Sequence, residues 1–394
     1  MPRPNDRARA RGLAVCVLAL LGSALLGAFL PHAARSQEHA FAGSLQLSYL
    51  GVPTDPNARR LGFDGFVTEV NLKMTADIND HLSGQVKVCY GCHGFELPMA
   101  FMDLRVVDEL NFRVGRFNPS FGEFPLRADP ANHASVDKPL PYDMGRMLRI
   151  REFNLGILPA PYVDTGVEVN GTHWFGDSVQ LDYAAYVVGG LRGSNDGLDV
   201  DFLQSRSSAV YYVDNNSQPA VGGRVALTFT PGDRSVMTFG ASTMWGRYDP
   251  GRDLAYFLAG ADAYLRFDRL IIRGEYLIRR TDMALGSDPA SIFQYGPGAD
   301  GVYDDFFLKQ GWYVEAEQEV SRGFRILARF DGLSRHGNVP IGSPLRSRSS
   351  LYRYTLGMNV LPHPAIRIKI FGEYYDFSDF EDAVALEAAV AAAF

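Results

Sequence analysis

From residue 40 onward the chain alternates polar and apolar residues with period two, and each alternating run is strand-length. In 365–376, Ile366, Ile368, Ile370 and Tyr374 fall on one face, and Arg367, Lys369, Glu373 and Tyr375 on the other. The pattern recurs in 349–360, where Tyr352, Tyr354, Leu356, Met358 and Val360 oppose Arg353, Thr355 and Asn359. In 324–331, Phe324, Ile326, Ala328 and Phe330 oppose Arg325, Arg329 and Asp331. In 270–279, Ile272, Tyr276 and Ile278 oppose Arg273, Glu275 and Arg279. Such alternation specifies β-strands, because successive side chains leave a strand on opposite faces. Charges on the second face of strand after strand do not suit a soluble sandwich, whose inner faces must be dry. They suit a wide barrel with lipid outside and water inside.

The connections point the same way. Tight turns at 77–80, 176–177, 231–234, 321–323 and 362–364 alternate with long polar stretches near 119–160, 191–217, 281–305 and 334–348. Short turns on one side and long loops on the other are the habit of transmembrane β-barrels. The segments predict an all-β, antiparallel transmembrane barrel of about sixteen strands, with 99–107 and 383–394 the faintest. The run 383–394 closes on Phe394, similar to the terminal strand by which outer-membrane proteins are recognised for insertion. Tyr183, Trp245, Tyr248, Tyr264, Trp312, Tyr354 and Tyr374 are candidates for interfacial aromatic girdles or for ordinary sheet packing.

Residues 1–36 read as a secretory leader. Arg3, Arg7, Arg9 and Arg11 precede an apolar run over 12–30, and Ala34 and Ser36 suit the −3 and −1 positions of a cleavage site. The barrel then occupies 37–394. The whole chain carries a formal charge of −7, and loss of five arginines and one aspartate with the leader takes it to −11. That balance argues against nucleic acid and against a strongly anion-attracting surface. After the leader, no run approaches the roughly 18 uninterrupted apolar residues of a spanning helix.

Of three cysteines, Cys16 lies in the leader, and the other two fall in Cys89-Tyr90-Gly91-Cys92-His93. C-x-x-C-H is the attachment sequence for one covalent c-type haem: two thiols form thioethers to the porphyrin vinyls and the histidine lies under the iron. A strained disulfide or two free thiols is the alternative. Parity places Cys89 with Gln85 and Lys87 on the polar, inward face, against Val86, Val88 and Tyr90. Gly91 is expected to break the strand and let Cys92 and His93 curl inward. On the return segment Met99, Phe101, Asp103 and Arg105 form the inward set. A haem held there would lie in the barrel near its extracellular mouth, with His93 as proximal iron ligand. His133, Met99, Met144 and Met147 are candidates for the sixth position, or it is open to water. The 119–160 stretch is the third long loop by this count and is expected to fold into the lumen. Its Arg127, Lys138, Arg146, Arg149 and Arg151, mixed with Asp129, Asp137 and Asp143, would offset haem propionates, line a constriction, or simply be solvated.

The stretch NFRVGRFNPSFG at 111–122 resembles the GRF-x-P-x-FG segment of phosphate-selective (O/P-type) porins. The resemblance implies a sixteen-stranded barrel, commonly a homotrimer in outer-membrane lipid, with an inward-folding loop after that segment. The acidic balance and the lack of a dense arginine ladder depart from a phosphate-attracting pore. Joining C-x-x-C-H to a porin is also similar to the outer-membrane cytochrome–porin fusions implicated in iron oxidation. Those place the haem segment before the barrel, whereas here it follows two expected strands. That likeness implies electron transfer at or across the outer membrane, with a periplasmic cytochrome or an extracellular donor or acceptor as partner.

Three functions follow: a haem-bearing electron carrier, a general or anion-selective diffusion porin in which Cys89 and Cys92 are structural, and a haem enzyme such as a peroxidase. The last lacks a distal His/Arg constellation. No phosphate-cradling glycine loop, metal-spaced histidine cluster or nucleophile elbow is present, so no catalytic residue is assigned. Asp304, Asp305, Asp379, Glu381 and Asp382 could hold a cation at the rim or form solvated acidic loops.

Overall fold

The computed structural model describes residues 38–53, 65–91, 94–143, 156–158, 160–193 and 216–394. The leader, Cys92, His93, Met144, Met147, Arg146, Arg149 and Arg151 lie outside the described residues.

Sixteen strands follow one another: β1 (Glu38–Gly51), β2 (Gly65–Asn79), β3 (Leu82–Gly91), β4 (Gly94–Val107), β5 (Leu110–Phe117), β6 (Asp164–Phe175), β7 (Val179–Val188) and β8 (Ala220–Gly232). The second half continues as β9 (Ser235–Arg247), β10 (Ala255–Phe267), β11 (Leu270–Asp282), β12 (Phe306–Ser321), β13 (Phe324–Gly337), β14 (Arg348–His363), β15 (Ile366–Phe377) and β16 (Ala383–Ala393). Each strand pairs antiparallel with its neighbours in sequence. β1 pairs with β16, from Ser44 opposite Ala393 to Gly51 opposite Leu386, so the sheet closes on itself and leaves no edge. All five tight turns read from the sequence are hairpins on one rim, joined there by short connections at 108–109 and 268–269. The longer loops gather on the opposite rim. Both faint segments are strands, β4 and β16.

The burial pattern is inside-out relative to a water-soluble sheet. Lys369, Arg353, Asp331 and Glu373 are buried, while Leu356 is 64% exposed and Ile370 49%. Charged side chains point into the ring, and aliphatic and aromatic ones stand outside it, where hydrocarbon replaces water. On the outer wall Trp312, Phe330, Tyr354 and Tyr374 form a row across β12–β15. Trp312 and Phe330 meet edge to face at 4.8 Å, and Phe330 stacks on Tyr354 at 4.6 Å. Tyr248 is not a girdle residue. It is fully buried, and its hydroxyl donates to the Asp282 carbonyl at 2.5 Å. Tyr248 follows the last residue of β9, where the strand's face parity no longer applies.

β3 ends at Gly91, which pairs with Gly94 at the start of β4. The ladder between the two strands is irregular between the pairs Lys87–Met99 and Cys89–Glu96. There Leu97 and Pro98 form a bulge, where proline's missing N–H is tolerated.

Candidate functional site: the lumen and its inward loop

The long connection between β5 and β6 enters the ring. Its hydrogen bonds reach side chains from almost every side of the wall, which only a segment inside the barrel can do. Glu168 of β6 accepts from the Ser120 amide at 2.8 Å, and Ser242 of β9 from the Gly122 amide at 3.0 Å. Asp331 of β13 accepts from the Leu140 amide at 2.9 Å. Lys369 of β15 donates to the carbonyls of Pro130 at 2.8 Å and Ser135 at 3.0 Å, and to Gln46 of β1 at 3.0 Å. Lys87 of β3 pairs with Asp129 across the remaining side.

One carboxylate gathers more of the loop than any other group above. Glu275 of β11 accepts the amides of Glu123 (3.0 Å) and Phe124 (2.7 Å) and the hydroxyls of Tyr142 (2.5 Å) and Tyr313 (2.7 Å). Its neighbour in this scheme is Gly122, whose φ of +67° is left-handed. An added Cβ would lie 2.2 Å from the Tyr142 hydroxyl and 2.6 Å from Glu275. The glycine that ends the porin-like 111–122 segment is therefore required both by backbone conformation and by space. A second pin is the guanidinium of Arg353, fully buried, which donates to Asp331 (3.2 Å), Asp143 (3.2 Å) and the Lys138 carbonyl (2.5 Å). Arg329 donates to Asp331 at 2.9 Å and to Ser135 at 2.5 Å.

Apolar side chains complete the dock. Phe117, Phe121, Phe124, Leu140, Tyr142 and Leu158 cluster with wall residues such as Met244, Leu258, Leu277 and Tyr375. Each large side chain so buried contributes about 1.5–3 kcal/mol relative to exposure. Burial followed by the Lys369 and Lys138 cations holds His133 well below the usual imidazole range. Burial and then Asp137 push the Asp143 carboxyl from 3.8 up to about 7.

Cys89 is a free, half-buried thiol on β3, opposite Asn71 on β2 and Glu96 on β4. It shares the inward face with Lys87, while Val86 and Tyr90 are exposed outside, as parity requires. Met99 is also on the inward face, opposite Lys87, its sulfur 3.9 Å from Gln85 Nε2. His133 packs beside Phe124, and the cations that depress it are those of β13, β15 and the loop. Met99 shares the inward face with Cys89, while His133 sits in the loop segment whose Asp129 pairs with Lys87 of β3 and whose Pro130 and Ser135 carbonyls accept from Lys369 of β15. The rim acids serve local bonds: Asp382 accepts from the Tyr374 hydroxyl at 2.5 Å, and Asp379 lies 3.6 Å from Arg346.

Inward parity marked Glu275, Asp331, Arg353 and Lys369 as lumenal, but nothing in the sequence singled them out as the loop's anchors. Their partners are backbone groups of a segment more than 100 residues away, such as Phe124 for Glu275.

A closed sixteen-strand antiparallel ring, apolar outside, charged inside and crossed by an inward loop, has the architecture of outer-membrane porin barrels. No family model matches the chain, and no curated protein matches it by sequence. Solved structures do match in fold. The anion-selective porin from Comamonas acidovorans superposes with a TM-score of 0.57 at 10% identity, covering 91% of this chain and 100% of that one. OmpF of Salmonella typhi, in complex with daunomycin, gives 0.54 at 11% identity, covering 90% and 97%. The outer-membrane channel DcaP of Acinetobacter baumannii gives 0.53 at 10%, covering 91% and 97%. These likenesses establish the porin-type barrel fold.

Proposed function

We propose that the protein is a diffusion channel of the bacterial outer membrane for small hydrophilic solutes, with the β5–β6 loop as its size-limiting constriction. The observation that carries this reading is the ring of anchors from β3, β6, β9, β11, β13, β14 and β15 that holds the loop across the lumen. A loop held from so many sides narrows a water-filled ring to a fixed eyelet. Acidic residues outnumber basic ones, 45 to 38, so the channel is expected to prefer cations weakly rather than anions. A homotrimer accords with the trimer form of OmpT of Vibrio cholerae, a fold neighbour at 12% identity. The test is reconstitution into planar bilayers in a salt gradient. Stepwise, ohmic conductance with a small cation-selective reversal potential is expected. Absence of conductance from correctly inserted protein overturns the reading.

A second reading keeps Cys89, Cys92 and His93 as the attachment site of one haem c, and with it electron transfer to a periplasmic cytochrome or an extracellular partner. It is favoured by the free Cys89 thiol, which lies on the lumenal face of β3 close in sequence to the other two residues. When bound, the haem would supply a one-electron carrier, and the chain would supply two thioethers and an axial imidazole. Haem staining after denaturing electrophoresis of protein made with haem-maturation machinery tests this reading, because thioether haem survives denaturation. A stain lost in Cys92→Ala supports it, and unstained wild-type protein ends it.

A further inference from the structure

We propose that Asp137, Glu373 and Glu387 form a calcium site that ties the inward loop to the wall at the β15–β16 seam. Asp137 belongs to the loop, Glu373 to β15 and Glu387 to β16, and carboxylate oxygens from all three lie within 4.8 Å of one another. Both glutamates are almost wholly buried, at 2% and 3% exposure.

The hydrogen bonding within this group is lopsided. Glu373 is satisfied: Thr355 donates to it at 2.8 Å and Tyr375 at 2.6 Å, with Arg329 at 3.5 Å and Arg353 at 3.6 Å. Both oxygens of Glu387 and Oδ2 of Asp137 are buried with no hydrogen-bond donor. A buried carboxylate without donor or counter-ion is costly, by several kcal/mol. The nearby arginines are already shared, since Arg329 also serves Glu315 and Asp331, and Arg353 also serves Asp143 and Asp331. A bound divalent cation would supply the positive charge that these unpartnered oxygens lack.

The donor chemistry selects the ion. All three ligands are oxygens, which suits a hard cation. Three carboxylates from separate elements, with water in the remaining positions, suit the flexible coordination of calcium better than the near-ideal octahedron that magnesium demands.

Tyrosine-sensitised terbium luminescence reads the site directly, because the Tyr375 hydroxyl is bonded to Glu373. The full-length, detergent-folded protein, stripped with chelator, is titrated with Tb³⁺ and then competed with Ca²⁺. Folding is judged by the heat-modifiable migration of the barrel. Wild type is expected to show calcium-competable emission, and Glu387→Gln to weaken the terbium affinity by roughly tenfold or more. Asp137→Asn, a loop substitution outside the sheet, should do the same and stands in if Glu387→Gln fails to fold. Terbium held at the rim acids Asp379, Glu381 and Asp382 would be untouched by either substitution. No calcium-competable emission from folded wild type, or emission equal in wild type and variants, overturns the proposal.

Discussion

Replacing Glu275 with alanine should release the constriction while leaving the barrel intact. The carboxylate accepts four hydrogen bonds, and three of them come from the loop: the amides of Glu123 and Phe124 and the hydroxyl of Tyr142. A hydrogen bond to a charged acceptor contributes about 1.5–3 kcal/mol, but lumenal water will rehydrate the freed donors. Taking roughly 1 kcal/mol per loop-side bond gives a docking loss of about 3 kcal/mol, or about a hundredfold in the ratio of docked to released loop. The ladders of β11 with β10 and β12 involve only backbone groups and stay paired, so the heat-modifiable midpoint should change little. The assay is single-channel recording in planar bilayers. Glu275→Ala should show a larger open level and greater open-channel noise than wild type. Glu275→Gln, which keeps the volume but turns an amide nitrogen toward donors, should fall between the two. Conductance and noise identical to wild type in Glu275→Ala would refute the idea that this carboxylate pins the loop.

Other outcomes follow from the same anchors. Gly122→Ala forces a side chain into a left-handed position against Glu275 and Tyr142. It should destabilise docking by about 1–3 kcal/mol, read as the same rise in channel noise. Lys369→Met removes the donor from Gln46, Pro130 and Ser135. It should loosen the β15 side of the loop and raise protease cleavage within 130–135. Two groups give docking opposite pH dependences. The Asp143 carboxyl is raised from 3.8 to about 7 in the docked loop, so its contribution is present below about pH 4 and is lost as pH rises to about 7. His133 is held neutral, so its contribution is present above its ordinary 6.5 and is lost as pH falls below that. Asp143→Asn should therefore blunt the rise in channel noise as pH rises, and His133→Gln the rise in noise as pH falls. Unchanged pH profiles in both variants would contradict the assignment.

The fold was legible because the barrel wall has one solvent on each face. In 365–376 every second residue had to suit lipid or water, so parity alone placed Lys369 and Glu373 inside and Ile370 and Tyr374 outside. The tight turns were legible from their Asp, Gly and Pro residues. The site was much less so. Which inward charge meets which loop group depends on register around the ring and on the path of a segment without periodicity. No local signal links Glu275 to Phe124 or Arg353 to Lys138. Parity could not decide Tyr248, because it lies just beyond the end of β9.

The most direct test of the central claim is the ion conductance of purified, chelator-washed protein in planar bilayers, with Glu275→Ala measured beside it. A water-filled ring narrowed by a docked loop predicts discrete ohmic steps in wild type and larger, noisier ones in the variant. Silent bilayers with both proteins inserted, or steps of one size in both, would contradict it.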